Sequence, residues 1–147
     1  MKPTALQVAK YILCIAHNYG DVLTNLKLQK LLYYAQAWYL VNNNNCKLFD
    51  EEIEAWQHGP VVREVYDRYK KFKGLPIEED LSNDDVNALS EDIHKYMSEF
   101  LDEFMDYSAT SLVNMTHSEA PWIEAYNRCK CGGIISTDSM YNYYSKL

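Results

Sequence analysis

The segment Leu28-Gln29-Lys30-Leu31-Leu32-Tyr33-Tyr34-Ala35-Gln36 decides how the chain is read. Leu28, Leu31, Leu32 and Ala35, continued by Trp38 and Tyr39, recur at the spacing of one face of an α-helix. Thr24 is placed to cap that helix, and the run Asn42-Asn43-Asn44-Asn45 ends it. Beside the apolar face, Lys27, Lys30 and Tyr34 share one side, and Gln29, Tyr33 and Gln36 share the adjacent one. Long polar and aromatic side chains in that place fit either the rim of a core or a stripe offered to a partner.

Toward the N-terminus, Thr4 and Gln7 form a capping-box pattern after Pro3. Val8, Ile12, Ile15 and Tyr19 then mark a helix that Gly20 stops. The link to the next helix is short, which predicts an antiparallel pair. On the other side, Glu52 to Gln57 alternates over too few residues for a helix and reads as a short strand. Gly59-Pro60 breaks it, and Pro60 is placed to open a helix carrying Val61, Val65, Tyr69 and Phe72. Gly74 and Pro76 close that element. Ser82 with Asp85 opens the longest helix, whose stripe is Val86, Leu89, Ile93, Tyr96, Met97, Phe100 and Phe104. Ser108 caps a shorter helix through Met115, Pro121-Trp122 interrupts, and Cys131-Gly132-Gly133 makes a turn. Ser136 caps a final helix with Met140, Tyr143 and Tyr144. The fold expected is mainly α: one compact domain over residues 1–147, a bundle of about six helices with at most one or two short strands near residues 52–57.

A chain of 147 residues is long enough to bury a core without disulfides or metal. Its net charge of −7 opposes a main role in neutralising phosphates or anionic membrane. Thirteen tyrosines stand out, a side chain suited to boundaries and protein interfaces. Cys14 reads as a core residue, and Cys46, Cys129 and Cys131 form no disulfide framework, which fits a reducing cytoplasm. The first twenty residues have only short apolar runs, neither a signal peptide nor a membrane span.

Zinc would need Cys129 and Cys131 joined by Cys46 and His117, but structural sites space paired cysteines more widely and use two pairs. No metal or cofactor is expected. His58 and His117, near Glu54 and Glu119, could each serve as a general base oriented by a carboxylate. No nucleophile context or phosphate loop accompanies them, and a histidine bonding a turn explains both positions. A DNA-binding regulator is the other alternative, carried by Lys27 and Lys30 on one side of a helix–loop–helix.

Three segments in order resemble a known family: Leu28 to Gln36, then Glu54-Ala55-Trp56-Gln57-His58-Gly59-Pro60-Val61 with Val65-Tyr66, then Leu112 to His117 followed by Pro121-Trp122. They are similar to the Panacea domain of SocA-like antitoxins and phage-associated GepA-like proteins, and the likeness runs from Ala5 to about Tyr144. The resemblance implies a helical, non-enzymatic protein that cancels a cognate toxin by direct binding, with delivery of the toxin to a protease complex as a variant of that role. A fixed Cys-x-Cys at 129–131 is not part of the family pattern. Docking is expected near the Trp56–Pro60 turn and on an exposed side of the second helix. The partner-binding residues expected are Lys30, Tyr33, Tyr34, Trp56, His58, Gly59, Pro60, His117 and Trp122. The partner implied by the resemblance is a cognate toxin protein, with no membrane role and none expected for nucleic acid.

Overall fold

In the computed structural model, which describes residues 2–147, one helix is enclosed by the rest of the chain. This is α2 (Asn25–Asn42). Every residue from Leu28 to Ala37 is buried, the polar ones included. A helix with one apolar stripe would leave its other side in water. This one packs against α1 (Ala5–Asn18), α3 (Arg63–Tyr69), α5 (Glu91–Phe104), α6 (Ala109–His117) and α8 (Thr137–Tyr144). Thr24 caps it by accepting a hydrogen bond from the Lys27 N–H at 3.2 Å. Beyond its C-cap at Asn43, Asn44 and Asn45 take left-handed backbone, a conformation asparagine tolerates better than most residues.

The ends of α1 follow the sequence reading. The Gln7 N–H donates to Thr4 Oγ1 at 3.1 Å and the Thr4 N–H donates to Gln7 Oε1 at 2.9 Å. Gly20 takes a positive φ just past the helix.

The chain is mainly helical, with eight α-helices and a three-stranded sheet among the described residues. Helix count and sheet both exceed the sequence reading. Strand β1 (Ile53–Trp56) lies between β2 (Gly59–Val61) and β3 (Gly133–Ile135), antiparallel to both. Pro60 does not open a helix. It pairs with Ala55 in β2, an edge strand where the missing N–H is tolerated. The helix α3 begins only at Arg63, after extended Val62.

The long helix expected from Ser82 is two helices. The Ser82–Asp85 capping box holds a short α4 (Asn83–Asn87), and Ser90 then caps α5 afresh. Ile93, Met97, Phe100 and Phe104 form the buried face of α5 as expected. Leu89 stands four residues before Ile93, so the apolar period runs unbroken across a gap in the backbone helix. Pro121 likewise does not interrupt: it lies in the first turn of α7 (Ala120–Arg128), where its ring costs no hydrogen bond.

Candidate protein-docking site

The polar residues of α2 face inward and bind backbone from distant segments. Gln29 Oε1 accepts from the Val62 N–H at 2.9 Å, while its amide donates to Asn25 Oδ1 at 2.9 Å. Asn25 in turn donates to the Tyr66 carbonyl at 3.2 Å. Gln36 donates to the Phe49 carbonyl at 2.8 Å and accepts from the Leu48 N–H at 2.7 Å. Buried amides satisfied on both sides fix the segments they touch. Asn25 and Gln29 therefore set where β2 ends and α3 begins.

Lys30 is fully buried. Its ammonium donates to the Pro60 carbonyl at 2.9 Å. Removal from water lowers its pKa from the usual lysine value to about 7. Directly above it Gly59 has φ +110°, and a Cβ there would lie 2.5 Å from Lys30 Cε. Glycine serves both needs, the left-handed backbone and the close approach.

Tyr33 and Tyr34 are also core residues. The Tyr33 and Tyr144 hydroxyls are 2.9 Å apart, and Glu119 Oε1 accepts from both Tyr34 and Tyr144, the latter at 2.7 Å. Burial raises the pKa of all three phenols. The expectation that Lys30, Tyr33 and Tyr34 project from an exposed side of α2 is corrected by these positions. From Leu28 to Ala37 the helix has no exposed side to give them.

The remaining expected residues gather around the β1–β2 turn. His58 is exposed at its tip, and Gly59 and Pro60 are buried. Trp56 is partly exposed, edge-on to Tyr66 at 4.8 Å, with the Arg63 guanidinium 5.2 Å from its ring centre. Arg63 also forms a two-pronged pair with Glu54, at 2.9 and 3.0 Å, which holds the Glu54 carboxyl below its usual range. Trp122 is 8% exposed, and its indole N–H donates to the Trp56 carbonyl at 2.8 Å. His117 lies against Trp122 with ring centres 4.2 Å apart, and Tyr126 stacks on Trp122 at 4.7 Å.

Neither histidine is held by the carboxylate expected to orient it. Glu54 is engaged by Arg63 and Trp56, and Glu119 by Tyr34 and Tyr144. The cations that suggested DNA binding are tied inward too: Lys27 donates to the Met105 carbonyl at 2.7 Å, and Lys30 is enclosed. Cys46, Cys129 and Cys131 are exposed, free thiols, and Cys14 is a buried one. No helix is long and apolar enough to cross a membrane among the described residues.

Between the turn, the start of α2 and α3 lies a cleft of about 360 Å³. Trp56, Tyr66, Gln57, His58, Lys70 and Lys73 are among the residues that line it. Of these, Lys70 and Lys73 went unread in the sequence, because nothing local shows that the 3-10 turn Lys70–Phe72 and its C-cap Lys73 lie beside the hairpin. Tyr66 stood within a quoted segment without a role.

The arrangement is that of a helical domain whose one small hairpin is braced from below by its central helix and shapes a cleft at the surface. The chain belongs to the family described as "Antitoxin SocA-like, Panacea domain", which it matches over residues 28–123. It is 32% identical over 128 residues to the protein named Antitoxin SocA of Caulobacter vibrioides (strain NA1000 / CB15N), covering 80% of this chain and 68% of that one. No solved structure matches it significantly.

Proposed function

We propose that this chain is the antitoxin of a toxin–antitoxin pair and neutralises its toxin by direct binding at the hairpin cleft. The 147 residues act as one domain, in the cytoplasm where both proteins are made. Membership of an antitoxin family supports the role, and the named relative is an antitoxin. The observation that carries the site is the convergence at one place of the three segments Leu28–Gln36, Glu54–Val61 and Leu112–Trp122. Lys30 supports the turn, Trp122 bonds Trp56, and Trp56, Tyr66 and His58 are left around an open cleft. Partly exposed aromatics on a fixed backbone are the side chains that most often carry protein-binding energy.

Within this reading Trp56 and His58 touch the toxin, Trp122 and His117 hold the adjoining face, and Lys30, Gly59 and Pro60 support the hairpin. No catalytic step and no cofactor are needed. Co-expression with the neighbouring open reading frame tests it. Growth arrest by the neighbour, relieved by this protein and not by a Trp56→Ala variant that still folds, is the expected result. Failure of the folded wild type to relieve arrest by any neighbour rejects it. Toxin that disappears during relief, and persists when cellular proteases are removed, would assign delivery for degradation rather than simple blocking.

A further inference from the structure

A protein of net charge −7 surrounds one cleft with lysines and no carboxylate. The residues lining the hairpin cleft include Lys30, Lys70, Lys73 and His58, and none is Asp or Glu. Lys70 has a carboxylate neighbour, Asp67 at 3.5 Å, in a solvent-exposed pair of the kind that binds weakly. Among the described residues Lys73 and Lys30 have no carboxylate partner within salt-bridge distance. Arg63, close by, is already occupied by Glu54.

Lys30 makes this more than a surface cluster. It is fully buried among the residues that line the cleft and uses one of its three N–H donors, on a neutral carbonyl. Burial with so little compensation disfavours the charged form of this amine, and a negative charge brought near would favour it. In a region of low dielectric it acts on such a charge without touching it. Trp56 and Tyr66, packed edge-on against each other, supply an apolar surface for the methylenes that carry a carboxylate.

We propose that the hairpin cleft receives an Asp- or Glu-bearing segment of the toxin, steered by Lys70 and Lys73 and held over Lys30. This rests on the antitoxin reading and names the chemistry of the partner's docking segment. The net negative charge of the protein then serves a purpose: it disfavours unspecific approach of an acidic segment, while the lysines of the cleft favour docking in one orientation.

The test has one arm with a toxin and one without. In the first, Lys70→Glu/Lys73→Glu is titrated with the toxin by calorimetry beside Lys95→Glu/Lys146→Glu, which changes net charge equally at exposed sites elsewhere. The expected result is at least a tenfold loss of affinity for the cleft variant, a shallower salt dependence, and little change for the control. Equal losses, or no loss in either, overturn the proposal and leave the antitoxin reading intact whenever the wild type binds and protects. In the second arm, an acetylated, amidated tri-glutamate peptide is added to ¹⁵N-labelled protein while the Trp56 indole resonance is followed, assigned with Trp56→Phe. A saturable shift that Lys70→Glu/Lys73→Glu removes supports the cleft. Absence of the shift, or a response to inorganic phosphate at lower concentration than to the peptide, overturns it even if no toxin has been found.

Discussion

The indole N–H of Trp122 donates to the carbonyl oxygen of Trp56, 66 positions away in sequence, at 2.8 Å. It ties the first turn of α7 to the last residue of β1, and so fixes the outer end of the hairpin strand from behind. Trp122→Phe keeps most of the packing on His117 and Tyr126 but removes this donor. The expected loss is about 1–2 kcal/mol of stability, measured by denaturant unfolding. Toxin affinity should fall in the folded variant as well, because Trp56 loses its brace.

Gly59→Ala meets two obstacles at once, a φ of +110° and a Cβ only 2.5 Å from Lys30 Cε. A destabilisation of about 2 kcal/mol or more is expected. Because the two positions touch, Gly59→Ala and Lys30→Ala should be non-additive in a double-mutant cycle. Shortening Lys30 relieves the steric part and leaves the backbone part.

Lys30 gives stability a pH dependence of unusual sign. Its pKa is about 7 in the folded protein and near 10.5 when unfolded. Between those values the unfolded chain binds more protons, so the Lys30 contribution rises with pH from about 7 to about 10. Below pH 7 both states are charged and the folded one bears the full burial penalty. Lys30→Met removes the titration and should flatten that rise, gaining most relative to wild type at or below pH 7. Thermal melts of the two proteins from pH 6 to 9.5 measure the difference.

Tyr34→Phe deletes one of two hydroxyl donors to Glu119 and should cost about 1–3 kcal/mol. Tyr33→Ala and Tyr34→Ala should cost about 3–5 kcal/mol by opening cavities in the core. Any loss of toxin binding in the alanine variants therefore reports unfolding. The buried phenols also set the alkaline limit. Their raised pKa values contribute stability that is fully present below pH 10 and lost as pH climbs through the folded-state values.

The caps were the most legible part of the fold. Thr4, Thr24, Ser108 and Ser136 bond within three residues of themselves, and such bonds are visible in a local pattern. What the pattern could not show is what lies on the far side of a helix. Lys30, Gln29, Gln36 and Tyr33 look like an exposed stripe because their partners at Pro60, Val62, Phe49 and Tyr144 are remote in sequence. Strand β3 escaped for the same reason: three residues carry no period, and only pairing with Ile53 to Ala55 makes them a strand. The turn at Trp56–Pro60 was legible, but its cleft was only half so, since Lys70 and Lys73 reach it by the fold of the chain after α3.

The pairing of β1 with both β2 and β3 also orders events in time. The hairpin to β2 spans nine residues, Ile53 to Val61, and can form as soon as they meet. The pairing of Ile53 with Ile135 must close a loop of about eighty residues, and entropy delays a closure of that length. Helix α8 follows β3 and supplies Tyr144 to Tyr33 and Glu119. The wall of the central helix that α8 covers is thus among the last parts of the molecule to be shut. Until it is shut the chain presents Tyr33 and Tyr34 to water and leaves an edge of β1 unpaired.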